Sequence, residues 1–147
     1  MVRQTVVASA IFGLGISIWS HSSFAEGALA VGLPNGDPRN GFTYGATVNR
    51  SPEEARSVAL NDCRGTEVRD TSKAKAACKI IETFRDQCIN AAFNGDAQTV
   101  STAVGWGVGP DSETANNRAM TMCEIMRRGN GRPCKLDGEP ACDGSAR

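Results

Sequence analysis

The chain has 147 residues, with 16 Lys and Arg balanced by 16 Asp and Glu, and a single histidine. Zero formal charge gives no global attraction to nucleic acid. Ser-His-Asp and Cys-His catalysis and most catalytic zinc sites require an imidazole, and the one candidate, His21, lies in a segment whose composition marks it for removal.

That segment is MVRQTVVASAIFGLGISIWSHSSFAEG. Arg3 is its only charge before Glu26, an apolar run follows from Thr5 to Trp19, and Ser23-Phe24-Ala25 closes it with small residues around the cut. This is the pattern of a secretory signal peptide over residues 1–25, with Glu26 as the first exported residue. Gly13, Gly15 and Ser17 interrupt the run, which is short for a membrane span. Residues 26–147 are then expected to form a single domain with 15 basic residues, 16 acidic residues and no histidine.

Along the exported chain, GALAVGL (27–33) is a short apolar run suited to a buried strand, closed by the turn residues Pro34-Asn35-Gly36-Asp37-Pro38. Phe42, Tyr44 and Ala46 alternate and predict a second strand. Ser51 is a suitable N-cap, Pro52 suits the first helical position, and Glu53 and Glu54 suit the positive end of the helix dipole. Ala55, Val58, Ala59 and Cys63 then form one helical stripe. A polar loop leads to Cys78-Lys79-Ile80-Ile81, a third strand.

The pattern then recurs sixty residues on. QCINAAF (87–93) lines up with GALAVGL, Asn94-Gly95-Asp96 is the turn, and Val100, Thr102 and Val104 alternate. Asp111 stands where Ser51 stood, Glu113 where Glu53 stood, and Ala115, Ala119, Met122, Cys123 and Met126 form the second stripe. Cys134-Lys135-Leu136 closes the copy. The repeats run over about residues 27–87 and 88–147. The fold predicted is α+β: two pseudo-repeats of strand-strand-helix-strand, building a mainly antiparallel sheet with two helices on one face. The methionines, at helical spacing, read as core filling.

Six cysteines lie in the exported part, with no C-x-x-C and no zinc-module spacing. An even count in an exported domain reads as three disulfides. The repeat relates Cys63 to Cys123, Cys78 to Cys134 and Cys88 to Cys142. Two symmetric solutions follow: Cys63–Cys78, Cys123–Cys134 and Cys88–Cys142, or a crossed set with Cys63–Cys134 and Cys78–Cys123. Loop length favours the local set.

GATVNRSPEEARSVALNDC, AVGWGVGPDSETANNRAMTMC and the Cys78/Cys134 pair together resemble the secreted bacterial domain of unknown function 4189 family. The resemblance covers nearly all of the exported chain. The first copy departs from it, with Ala46-Thr47 where the pattern has Trp-Gly, and the 63–78 loop is long. The resemblance implies bacterial export and a small disulfide-bonded domain, with no activity and no catalytic residues attached.

Several stretches invite chemistry. Gly105-Trp106-Gly107-Val108-Gly109 runs from strand to helix, but it lacks the G-x-G-x-x-G spacing and Asp111 would repel phosphate, so it reads as close backbone packing. Ser72-Lys73-Ala74-Lys75 matches S-x-x-K without the accompanying S-D-N and K-T-G, and reads as solvated loop. Glu82 and Asp86 are the acids considered for glycosidase-type catalysis. Asp137, Glu139 and Asp143 offer hard oxygens without a calcium-loop spacing. No metal and no cofactor is expected.

The charges after the two helices repeat as well. Residues 64–79 carry Arg64, Arg69, Lys73, Lys75 and Lys79 against Glu67 and Asp70; residues 127–135 carry Arg127, Arg128, Arg132 and Lys135 with no acid. Helix C-termini favour cations through the dipole alone. If both loops share a pole, they also form a basic patch. The function expected is a non-enzymatic exported binding or inhibitor-type domain of the bacterial envelope, periplasmic or secreted. Trp106, Tyr44, Arg127, Arg128, Arg132 and Lys135 would contact an envelope or secreted protein, or an anionic polymer. The alternatives are a small carboxylate-dependent envelope hydrolase and a purely structural envelope protein.

Overall fold

The computed structural model describes residues 26–65, 72–95 and 101–147. The expected signal peptide, the first residues of the second copy's second strand and the charges of residues 66–71 lie outside the described residues.

Alternation of small and large residues organises the strands. In β1 (Glu26–Gly32), Ala28 and Ala30 face one side and Leu29 and Val31 the other. β1 is the centre of a three-stranded antiparallel sheet, with β2 (Thr43–Arg50) and β3 (Lys79–Phe84) on either side. Its small face meets α1 (Pro52–Gly65) through Ala28, Ala30, Ala55, Ala59 and Cys63. A one-turn helix, α2 (Ser72–Ala76), precedes β3. The S-x-x-K stretch is therefore the start of this helix, with Ser72 and Lys73 exposed.

The second half repeats the arrangement. β4 (Cys88–Phe93) is central, between β5 (Val104–Gly109) and the short β6 (Lys135–Leu136), while β7 (Ala141–Cys142) also pairs with β4. α3 (Ser112–Arg127) covers the small face through Ala92, Ala119 and Cys123. Asp111 caps it as expected, accepting the Thr114 N–H at 2.7 Å. Met120 and Met126 fill the core here; Met122 faces the strand edge.

The fold is thus α+β, antiparallel and stapled by three disulfides. Its strands divide between two sheets, with each helix on the outer face of its own. The reason is the second apolar face. Leu29, Val31, Phe84, Ile89 and Val108 are buried together, with Trp106, Tyr44, Ala46 and Val48 packed against them. One sheet with both helices on one side would leave that face in water, at a cost of about 1.5–3 kcal/mol for each large side chain. Packing the two sheets face to face removes it.

The register also refines the repeat. Ala30 pairs with Gly45, while Ala92 pairs with Gly105. The second strands and helices keep the sixty-residue offset, but the first strands are displaced by two further residues. A two-residue shift preserves which side chains face which layer, so the mismatch leaves the packing pattern intact.

Glycine sets the helix-to-sheet distance. A Cβ at Gly45 would overlap the Ala59 carbonyl oxygen and the Cys63 amide nitrogen, and a Cβ at Gly105 would overlap the equivalent Ala119 and Cys123 atoms. The disulfides fix the same seam: Cys63–Cys78 and Cys123–Cys134 span Cα separations of 6.1 and 6.2 Å. Cys88–Cys142 joins β4 to β7, with Cα atoms 3.9 Å apart. This is the local symmetric set, each bridge contributing about 2–4 kcal/mol.

Gly45→Val and Gly105→Val are each expected to destabilise by about 3 kcal/mol or more, because the obstruction is backbone rather than a movable side chain. Gly65→Ala, which has open space around its Cβ, is expected to fall within about 0.5 kcal/mol of the parent. Urea midpoints of the oxidised proteins check this, and equal effects at all three positions would contradict the seam.

Candidate functional site

The sheets do not close completely on one another. A cleft of about 180 Å³ remains between them, walled by Leu29, Ile89, Ala91 and Ala141 and bordered by Tyr44, Ala46, Asp137 and Glu139. Ala46 holds the place in β2 that Trp106 holds in β5: they pair with Leu29 and Ala91 at equivalent register. A methyl group stands where the other half has an indole, and the missing volume is part of the cleft. Tyr44 stacks on Phe42, with ring centroids 5.8 Å apart, and its hydroxyl donates to the Asp137 carboxylate. Burial first, then this acceptor and its negative charge, push the phenol well above its ordinary range.

Trp106 is half-buried on the inner face of β5, within the cluster between the sheets. It is chiefly a packing residue with one edge in water. Tyr44 reaches the surface more usefully, because Asp137 holds its polar end.

The basic residues gather by topology. Asn49, near the end of β2, receives the Asp143 carboxylate on its N–H at 2.7 Å, and the Asp143 N–H donates to Gln87 at 2.8 Å. Tyr44, near the start of β2, meets Asp137, whose N–H donates to Ala91 at 2.9 Å. β2 therefore runs opposite to β4, and each helix runs back against its own hairpin. The C-terminal ends of α1 and α3 consequently point to the same pole. Arg64, Lys73 and Lys79 lie there on one half, and Arg128, Arg132 and Lys135 on the other, all exposed.

A family model described as a domain of unknown function (DUF4189) matches residues 25–140. The chain belongs to the DUF4189 family. No curated protein and no solved structure matches it. The DUF4189 match takes in both halves of the fold and five of the six cysteines, leaving only Cys142 beyond it.

Within this DUF4189 chain, Arg127 is tied into the scaffold. Its Nε donates to Glu124 Oε2 at 2.6 Å, and Glu124 Oε1 accepts the Cys134 N–H at 2.9 Å. The Cys134 amide, then Arg127, hold the Glu124 carboxyl below its ordinary range. This clip ties the loop after α3 back to the helix, leaving the Arg127 side chain only 19% exposed. Arg128 terminates α3 in a left-handed conformation, φ 51°. Lys135 lies over the Phe93 ring, 5.8 Å from its centroid.

Three of the acids weighed for catalysis or metal binding, Asp86, Asp137 and Asp143, have partners of their own. Asp143 is fully buried and accepts the N–H groups of Asn49 and Asp86, fastening two left-handed turns. Asp86 accepts from Ser145 N–H at 3.3 Å, and Glu82 is exposed on β3. Among the described residues, no three His, Cys, Asp or Glu side chains converge on a metal position. All six cysteines are paired, so no thiol is available as a nucleophile.

Tyr44 is the only tyrosine, so its ionisation can be followed alone. Its folded pKa is raised, so the fold retains a proton that the unfolded chain loses first. The resulting stability is complete below the ordinary phenol range and is lost as pH rises through the folded pKa. Tyrosinate absorbance of the native protein is expected to appear well above that range and to return to it on denaturation. Tyr44→Phe is expected to cost about 0.5–1.5 kcal/mol and to remove this alkaline dependence.

Proposed function

We propose that the protein is an exported, non-enzymatic binding module that engages an anionic partner of the bacterial envelope through its basic pole. The observation that carries this reading is the shared direction of the two helix C-termini, which collects the cations after α1 and after α3 at one end of a chain with no net charge. Such local asymmetry attracts an acidic surface without a global field. Three disulfides fit an oxidising compartment, and among the described residues no helix is long and apolar enough to cross a membrane.

The contact set is Arg128, Arg132 and Lys135 on one half, with Lys73, Lys75 and Lys79 on the other. Tyr44, above the cleft, adds an aromatic contact. Arg127 serves the scaffold through Glu124. The partner class is an acidic protein surface or an anionic polymer.

Poly-L-glutamate and lipoteichoic acid serve as probes. The oxidised protein is expected to be retained at about 0.01 M salt and released toward 1 M, as screening shortens the Debye length from about 30 to 3 Å. Joint reversal of Arg128, Arg132 and Lys135 to Glu is expected to abolish retention with folding intact, whereas Arg127→Glu is expected to destabilise the α3 loop instead. Salt-insensitive retention, or full retention after the triple reversal, would refute the basic pole.

A further inference from the structure

The outer edge of β5 carries no strand among the described residues, and β5 pairs only with β4. The Asn94 N–H donates to the Ala103 carbonyl at 3.2 Å. This fixes the alternation: Gly105, Gly107 and Gly109 bond to β4, while the N–H and C=O groups of Val104, Trp106 and Val108 point outward. Two contacts agree with that assignment. The Val104 N–H points to Met126 Sδ at 3.5 Å, and Arg118 donates to the Val108 carbonyl. Trp106, at the centre, has neither group engaged among the described residues.

Exposed edges are normally blunted by charge, proline or a bulge. Val104–Gly109 contains no charge and no proline, and its pairing with β4 runs without a register shift, unlike both ladders of the other sheet. Beside it lies an open groove of about 440 Å³ on α3, lined by Thr114, Asn117, Arg118, Thr121, Met122 and Ile125. Ile125 is 71% exposed, the more exposed of two large apolar side chains lying open among the described residues.

The internal repeat supplies a comparison within the same molecule. On α1 the positions equivalent to Thr114, Met122 and Ile125 are Glu54, Asp62 and Gly65. At these positions the helix beside the β2 edge carries two acids, and the helix beside the β5 edge carries Met122 and Ile125. The two halves share a scaffold but differ at this surface.

We infer that β5 pairs antiparallel with β5 of a second copy, making a twofold dimer with α3 of each copy against the other. The occupant follows from the strand itself. Val104-Gly105-Trp106-Gly107-Val108 reads the same in both directions. With Trp106 on the axis, valine faces valine and glycine faces glycine, and the outward groups of residues 104, 106 and 108 bond one another. In an isologous interface residue i meets j and j meets i, and here the two members of each pair are the same residue type. The glycines of the paired strands already face the helices, and Arg118 leaves the Val108 carbonyl as the second strand arrives. Met122 and Ile125 of each copy then meet the partner helix instead of water. The strands oppose, so the two basic poles face opposite ways.

Sedimentation equilibrium of the oxidised protein tests this, with hydrogen exchange at the Trp106 amide as a second readout. Twice the chain mass is expected, falling to the single-chain mass on dilution, with a Trp106 amide that is slow in the dimer. Ile125→Asp, at an exposed position, is expected to give a folded single chain with a fast Trp106 amide. A single-chain mass at every concentration would overturn the inference. So would a dimer that survives Met122→Asp with Ile125→Asp while the Trp106 amide exchanges freely. Neither result bears on retention by poly-L-glutamate, so this inference and the basic-pole reading fail separately.

Discussion

The close approach of helix to strand governs this fold. Gly45 under Ala59 and Gly105 under Ala119 bring helix backbone to within contact of strand backbone. At that distance the fully buried apolar residues between the layers are small: Ala28, Ala30, Ala55, Ala59 and Cys63 in one half, Ala92, Ala103, Ala119 and Cys123 in the other, with Thr43 and Asn90 as buried polar neighbours. Small residues bury little area, so the seam gains modestly from the hydrophobic effect. The disulfides at Cys63 and Cys123 supply what the seam lacks, because each holds the end of its helix to the strand that follows.

Spending the outer faces of both sheets on small residues displaces the large ones inward. Leu29, Val31, Phe84, Ile89 and Val108 meet between the sheets, and that layer holds the two halves together. Polar clasps close its ends. Asp143 fastens the turns at Asn49 and Asp86 on one side, and Asp137 receives Tyr44 on the other. A buried carboxylate is tolerable at residue 143 because backbone N–H groups point directly at it.

Much of this was legible in the residues. Duplication showed in GATVNRSPEEARSVALNDC and its later counterpart, and it reduced the cysteine pairings to two symmetric sets from which the short loops selected one. The Asp111 cap and the packing role of the Gly105 run were equally plain. The division into two sheets was harder, because an apolar strand such as GALAVGL announces burial on both faces without saying what covers each. The two-residue displacement of the first strands was hidden because Ala, Gly and Cys substitute for one another in an ungapped comparison, and an even shift leaves the facing pattern unchanged. The tether of Arg127 was hidden for a different reason. Four cations after a helix look alike in a string, and only the return of the chain at Cys134 brings Glu124 between them. Ala46 carried the available signal for the cleft, as a small residue where its counterpart and the family pattern have Trp.

The repeat therefore separates scaffold from surface. Positions alike in both halves, Gly45 and Gly105, Ala59 and Ala119, Cys63 and Cys123, all lie in the helix-to-strand seam, where backbone contact admits no alternative. Other positions differ, Thr47 against Gly107 within the seam itself among them. Ala46 against Trp106 opens a cleft on one side and fills it on the other. Val58 against Arg118, Asp62 against Met122 and Gly65 against Ile125 give the two strand edges different side chains. These differences are not demanded by the fold, since each half accommodates a different residue at the same place in the same architecture. A twofold-like scaffold that kept the contacts of Gly45 and Gly105 and diverged at one cleft and one edge has ceased to be symmetric where it meets solvent.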